Sequence, residues 1–151
     1  MQLSTNFSLI ELTKSQIAER KGISNNPEPH HIENLKSLCV HVLQPIRTHF
    51  NKVLTISSGY RSPQLCEAIG SSINSQHAKG MAADFELFGV SNKEVSDWVH
   101  FNLNYDQLIL EYWTGETNSG WVHCSFSSEN NRREYLVAYK DNNKTKYKTA
   151  L

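Results

Sequence analysis

Between His30 and Phe50 the apolar residues Ile32, Leu35, Leu38, Cys39, Val42, Leu43, Ile46 and Phe50 recur at three- and four-residue steps. That spacing is the stripe of an amphipathic helix, which must find another surface to bury it. Pro45 lies inside the stripe and removes one backbone bond, so a kink near His41 to Pro45 is expected. The run Asn25-Asn26-Pro27-Glu28-Pro29 precedes the helix as a break. Residues 1–29 are therefore read as an arm or short helix packed on the domain, with Phe7, Ile10, Leu12 and Ile17 as anchors.

Beyond the helix the chain reads mostly as short strands. Val53 to Ser57 alternates in strand fashion and ends at Ser58-Gly59, and Pro63 can open a helical turn. Ala82 to Phe88 is a second strand. Ser91-Asn92-Lys93-Glu94 has the form of a capping box ahead of Val95, Trp98 and Val99, which predicts a helix. Gln107 to Trp113 and Trp121 to Phe126 read as two strands around the turn-rich TGETNSG. Tyr135 to Tyr139 adds an edge strand, and residues 141–151 read as a polar, frayed tail. The expected class is α+β, an antiparallel sheet with helices packed against it. Residues 30–140 form its domain.

Composition narrows the function. The chain has 151 residues, 38% of them apolar, which suits one core. Lys plus Arg equals Asp plus Glu at 15 each, so the overall basic field that nucleic-acid binding uses is missing. Cys39, Cys66 and Cys124 are odd in number and contain no CxxC, which favours reduced, buried thiols over a disulfide framework. The N-terminus shows no basic stretch followed by an apolar h-region, and no window approaches a membrane span. Synthesis in the cytoplasm without a signal peptide, a monomer and no membrane insertion are the expectations.

Chemistry concentrates in SQHAKGMAADF, where His77 stands seven residues before Asp84. The spacing alone is weak, but Gly80, Ala82 and Ala83 allow close backbone approach. Asp84, between Ala83 and Phe85, is expected to be buried, and an unpaired buried carboxylate is costly. A cation would remove that cost, as would Arg61 or a set of backbone amides. In WVHCSF, alternation places Trp121, His123 and Ser125 opposite Val122, Cys124 and Phe126. Two histidines and an aspartate are a donor set that zinc takes in catalytic sites. His123 could equally be a strand histidine hydrogen-bonded to a neighbour. His30, His31, His41, His49 and His100 fall on helical positions and read as structural or solvated.

The segment SGYRSPQLCEAIGSSINSQHAKGMAADF, followed by YDQLILE and WVHCSF, resembles the zinc D-alanyl-D-alanine carboxypeptidase family. That family includes phage endolysins that cleave L-alanyl-D-glutamate bonds and the vancomycin-resistance dipeptidases, and it shares the hedgehog fold. The arm NFSLIELTKSQIAERKG also looks like members from phage genomes. The resemblance implies Zn2+ held by His77, Asp84 and His123, with Ser75 in the same SxHxxxxxxD element. It implies that Arg61 holds the substrate carbonyl and the developing oxyanion.

In several branches an acidic residue three positions before the last histidine is the general base, and here that position is Gly120. Glu111 is the expected replacement, because a hairpin centred on Thr117 would set it directly opposite His123, with Cβ atoms about 4.5–5.5 Å apart. A one-residue slip would turn it away, and Glu116 is the second candidate. The implied activity is a zinc metallopeptidase in which zinc-activated water hydrolyses the peptide stem of peptidoglycan, as a D,D-carboxypeptidase or endopeptidase or as an L-Ala-D-Glu endolysin. Ser75 and Gln76 would orient ligand or substrate, with Tyr60 and Trp113 as cleft walls. Such an enzyme would act at the cell wall after release or as a virion component. The alternatives are a zinc-binding module without catalysis and a structural virion protein on the same fold.

Overall fold

The structure, a computed structural model, describes residues 1–151. The stripe beginning at His30 folds as one helical run in three parts: α3 at Pro29–Leu38, a π-helical segment at Cys39–Leu43, and α4 at Gln44–Phe50. Pro45 has no N–H to give to the preceding turn, and the wider π-turn absorbs that loss where the kink was expected. Leu35, Leu38, Cys39, Val42, Leu43 and Ile46 are fully buried and form one wall of a single 23-residue core.

The other wall is a six-stranded sheet of β3 (Leu54–Ser58), β4 (Ala82–Leu87), β6 (Trp121–Ser125), β5 (Gln107–Glu111), β7 (Glu134–Asp141) and β8 (Lys144–Thr149), in that spatial order. Neighbours are antiparallel except β5 and β7, which run parallel. Alternation sends Ala83, Phe85, Leu87, Leu108, Val122 and Cys124 to the core. It leaves Asp84, Ile109, Glu111, Trp121 and His123 on the opposite face. Helix α6 (Asn92–Asn102) starts at the Ser91 cap, whose hydroxyl accepts from the Glu94 amide, and buries Val95 and Val99 on the core side. The short α5 spans Pro63–Ala68, with Pro63 in its first turn.

The arm consists of β1 (Gln2–Ser4), β2 (Phe7–Ser8), α1 (Leu9–Thr13) and α2 (Gln16–Lys21). Phe7 and Leu12 anchor it as expected, together with Leu3 and Ala18. Ile10 and Ile17 do not anchor it, since both are exposed: α1 and α2 are each under two turns long and present only one buried residue apiece. The tail is polar but not frayed. Asn142 and Asn143 both adopt positive φ, the geometry of a tight hairpin turn, and β8 folds back on β7. β8 is thus the edge strand, and Tyr135 to Tyr139 lies one strand inside. All three cysteines are free and buried, and burial pushes the Cys39 thiol up to about 12. No helix is long and apolar enough to cross a membrane.

Gly59 joins the arm to the sheet. A Cβ there would fall on the Leu12 carbonyl oxygen, and the next amide, Tyr60 N–H, donates to that same carbonyl at 2.7 Å. Gly59→Ala is therefore expected to destabilise the fold by about 1–3 kcal/mol. Urea unfolding monitored by tryptophan fluorescence measures the loss.

Candidate metal centre

The register between β4 and β6 makes Asp84 the direct partner of His123. His77 reaches them from a one-turn 3-10 helix, Gln76–Lys79, whose N-cap is Ser75: the Ser75 hydroxyl accepts from the His77 amide at 3.1 Å. Gly80 closes that turn in the left-handed region, with the His31 carbonyl 2.6 Å from where a Cβ would sit. The ligand-type atoms of His77, Asp84 and His123 all lie within 4.8 Å of one another. His77 is 3% exposed and His123 9%.

Hydrogen bonding orients these groups. His77 Nδ1 lies 2.8 Å from the Gly59 carbonyl, which can only accept, so Nδ1 carries the proton and Nε2 faces Asp84 Oδ1 at 3.5 Å. His123 Nδ1 is 2.9 Å from the same Oδ1. An imidazole lone pair facing a carboxylate oxygen is repulsive unless a proton or a metal cation lies between them. Two imidazoles and a carboxylate converging in this way, one ring backed by a carbonyl, are a donor set and outer shell suited to zinc. Burial pushes the Asp84 carboxyl up, but the hydrogen bonds and charge of His123 and His77 overcome it and hold the group well below the usual carboxylate range. Arg61 makes no ion pair with Asp84; its amide instead donates to the His77 carbonyl at 3.1 Å.

Glu111 pairs directly with Trp121, and Ile109 pairs with His123. The expected direct pairing of Glu111 with His123 is thus off by two residues. Tyr112 and Gly120 both take positive φ, and a Cβ on Gly120 would land on the Glu111 carbonyl oxygen, so the strands close earlier than a hairpin centred on Thr117 would. A shift of two preserves the face, leaving Glu111 diagonal to His123 at about 7–8 Å between backbones. Burial raises the Glu111 pKa, and the Asp84 charge raises it further. His123, Arg61 and the Trp121 indole oppose the shift in part, the indole N–H being buried and completing no hydrogen bond. Glu116 stays exposed in the loop, where its backbone carbonyl accepts from Ser119, and its carboxylate makes no bond to the cluster.

Of the remaining residues, Gln76 donates to Asp106 Oδ2 at 2.8 Å and lines a cleft of about 590 Å³ with Ser75 and His123. Tyr60 packs in the core against His31 and also lines the groove between the arm and the sheet. Trp113 is half-buried, and its indole N–H has no partner, like Arg61 Nε. Sequence reasoning missed Asp106, which Arg132 grips through Nε, a terminal nitrogen and its amide, holding the carboxyl down to about 2. It also missed Asn92, whose amide donates to the Ser119 and Gly120 carbonyls and fixes the base of the loop. An acid directly ahead of an apolar strand was the available signal for Asp106; Asn92 reads only as a first-turn helix residue. His41 and His49 stack on Phe126 and Trp98, away from the cluster.

Compared with known proteins, the family model described as Peptidase M15 matches residues 5–125. No curated protein matches the chain.

His77→Ala and Asp84→Ala are expected to weaken zinc binding by more than about 100-fold, since even outer-shell losses reach that scale. His41→Ala leaves it unchanged. Isothermal titration with zinc, alongside circular dichroism, separates lost ligands from lost fold. Glu111 holds its proton more tightly folded than unfolded. Its contribution to stability is thus full below the ordinary carboxylate range and lost as pH rises through the raised value. In chelator-treated protein, Glu111→Gln should raise Tm at neutral pH, with the gain shrinking on acidification.

Proposed function

The chain belongs to the peptidase M15 family, whose members are zinc-dependent, and we propose that it is a zinc metallopeptidase hydrolysing the peptide stem of peptidoglycan. The observation that carries this reading is the convergence of His77, Asp84 and His123 within 4.8 Å, with Glu111 on the same sheet face. A zinc ion held by these three supplies Lewis acidity, polarising a carbonyl and making water a nucleophile at neutral pH.

The chain's own groups do the rest. Glu111, its pKa raised by burial and by Asp84, takes the proton of the attacking water as the C–O bond forms and delivers it to the amine as the C–N bond breaks. Arg61, whose guanidinium is felt at Glu111 and whose Nε is buried without a partner, holds the carbonyl oxygen as negative charge gathers there. His77 is kept in its productive tautomer by the Gly59 carbonyl. Ser75 positions His77 through the cap, and Gln76 is tied to Asp106 at the edge of the cleft beside His123. Within this reading the six-stranded sheet, β8 included, and the helices packed on it form the catalytic domain with the 1–29 arm against it, acting as a monomer. The cleavage is at the cell wall, and a D-Ala-D-Ala bond and an L-Ala-D-Glu bond are both compatible with the cluster.

Incubating zinc-loaded protein with defined muropeptides and identifying the products by mass spectrometry is the direct test. Glu111→Gln should lower kcat by about 100- to 10,000-fold with zinc still bound. Arg61→Met should lower it by about 100- to 1,000-fold. Unchanged turnover in Glu111→Gln would remove Glu111 as base. A wild-type protein that binds zinc but cleaves none of the muropeptides would be a binding module instead.

A further inference from the structure

A groove of about 630 Å³ runs between the arm and the sheet, lined by Lys14, Ile17 and Arg20 from the arm, Ser58 and Arg61 from the end of β3 and the loop after it, and Ile69 beyond α5. It adjoins the metal centre along one wall. Ser58 is the strand partner of Asp84, and the Arg61 amide is bonded to the His77 carbonyl. β3 is also an edge strand, so its outer backbone groups are unpaired within the sheet.

The groove gathers three cations, and they are not paired with acids. Lys93, Lys146 and Arg132 each have an aspartate within ion-pair distance. Lys14, Arg20 and Arg61 have no carboxylate within that range, and the only acid on the same lining is Glu19. The cleft on the opposite side, beside His123, is different: Asp106 and Arg132 neutralise each other there, leaving only Lys79 unpaired. A chain laid across the metal centre would therefore meet a cationic wall on the arm side and a largely compensated one on the other.

We propose that this groove is a carboxylate-recognising subsite, in which Lys14 and Arg20 of the arm bind a free carboxylate of the substrate peptide on one side of the scissile bond. The inference rests on the peptidase reading above and assigns the arm a part in substrate selection. A stem peptide offers two such groups, the free carboxylate of its glutamyl residue and its C-terminal carboxylate.

The test uses the zinc-loaded full chain and three matched stem peptides: the free acid, one amidated at the glutamyl carboxylate, and one amidated at the C-terminus. Wild type should lose about fivefold or more in kcat/KM, mainly through KM, on one of the two amidations, which identifies the carboxylate. The Lys14→Ala/Arg20→Ala double variant should lose that discrimination, and Arg20→Lys should keep most of it. Wild type that treats all three peptides alike, or a double variant that discriminates as wild type does, overturns the subsite while the peptidase reading stands. If none of the peptides is cleaved, the peptidase reading fails instead. The groove is then judged by NMR titration of the zinc-loaded protein with the uncleaved free-acid peptide. Shifts at Lys14 and Arg20 that disappear with an amidated peptide support the subsite, and their absence overturns it.

Discussion

The arrangement depends on one buried charge, the Asp84 carboxylate held between two imidazoles on the outer face of a sheet. Its position is set from the other face. Ala83 and Phe85 on β4, and Val122 and Cys124 on β6, are all fully buried, so the core admits one pairing of these strands. A one-residue slip would pair Asp84 with Val122 or Cys124 and put Asp84 and His123 on opposite faces of the sheet. The hydrophobic alternation that stabilises the domain thus also places the Asp84–His123 pair, and the third member of the cluster, His77, needs only a single capped turn to reach them.

The arm is tied into this machinery through polar contacts as well as core packing. Asn25 donates to the Thr13 and Tyr60 carbonyls, and its own side-chain oxygen accepts from the Ser62 amide. With the Leu12 carbonyl on Tyr60 N–H, these bonds hold the loop from Gly59 to Ser62 on both flanks of Arg61. Under the proposed function, the backbone bearing Arg61 is already fixed before its guanidinium meets a developing charge, which is what electrostatic preorganisation requires. The Gly59 carbonyl that orients His77 belongs to the same loop, so the arm bears on the His77 ring as well as on Arg61.

Local periodicity carried much of this structure in the sequence. The stripe from Ile32 to Phe50 with Pro45 inside it marked both the helix and its break, and the WVHCSF alternation put His123 on the face opposite Val122 and Cys124. What periodicity did not carry was non-local pairing. The parallel neighbourhood of β5 and β7 comes from a chain that leaves β6 and returns through Arg133, at φ 54°, and no run of apolar residues encodes that. The Glu111 register failed for a related reason, since Tyr112 takes a positive φ that an aromatic residue seldom adopts. Asn142 and Asn143 were a readable hairpin turn, but the lysines and threonines around them masked a strand that lies exposed at an edge, where polar residues are at home.

The donors left unpaired in the folded chain have a consistent placement. Trp113 comes two residues after Glu111, Trp121 is its strand partner, and Arg61 acts on its charge; each of the three has a buried N–H without a partner in the protein. A buried donor left unsatisfied costs about 1–3 kcal/mol, and a domain of this size has little stability to spare. Such groups are tolerated where a ligand supplies the acceptors, because a site that satisfied them internally would have to break those bonds before binding. Under the proposed function, the donors gathered beside this raised-pKa carboxylate are free to meet a bound carbonyl or carboxylate.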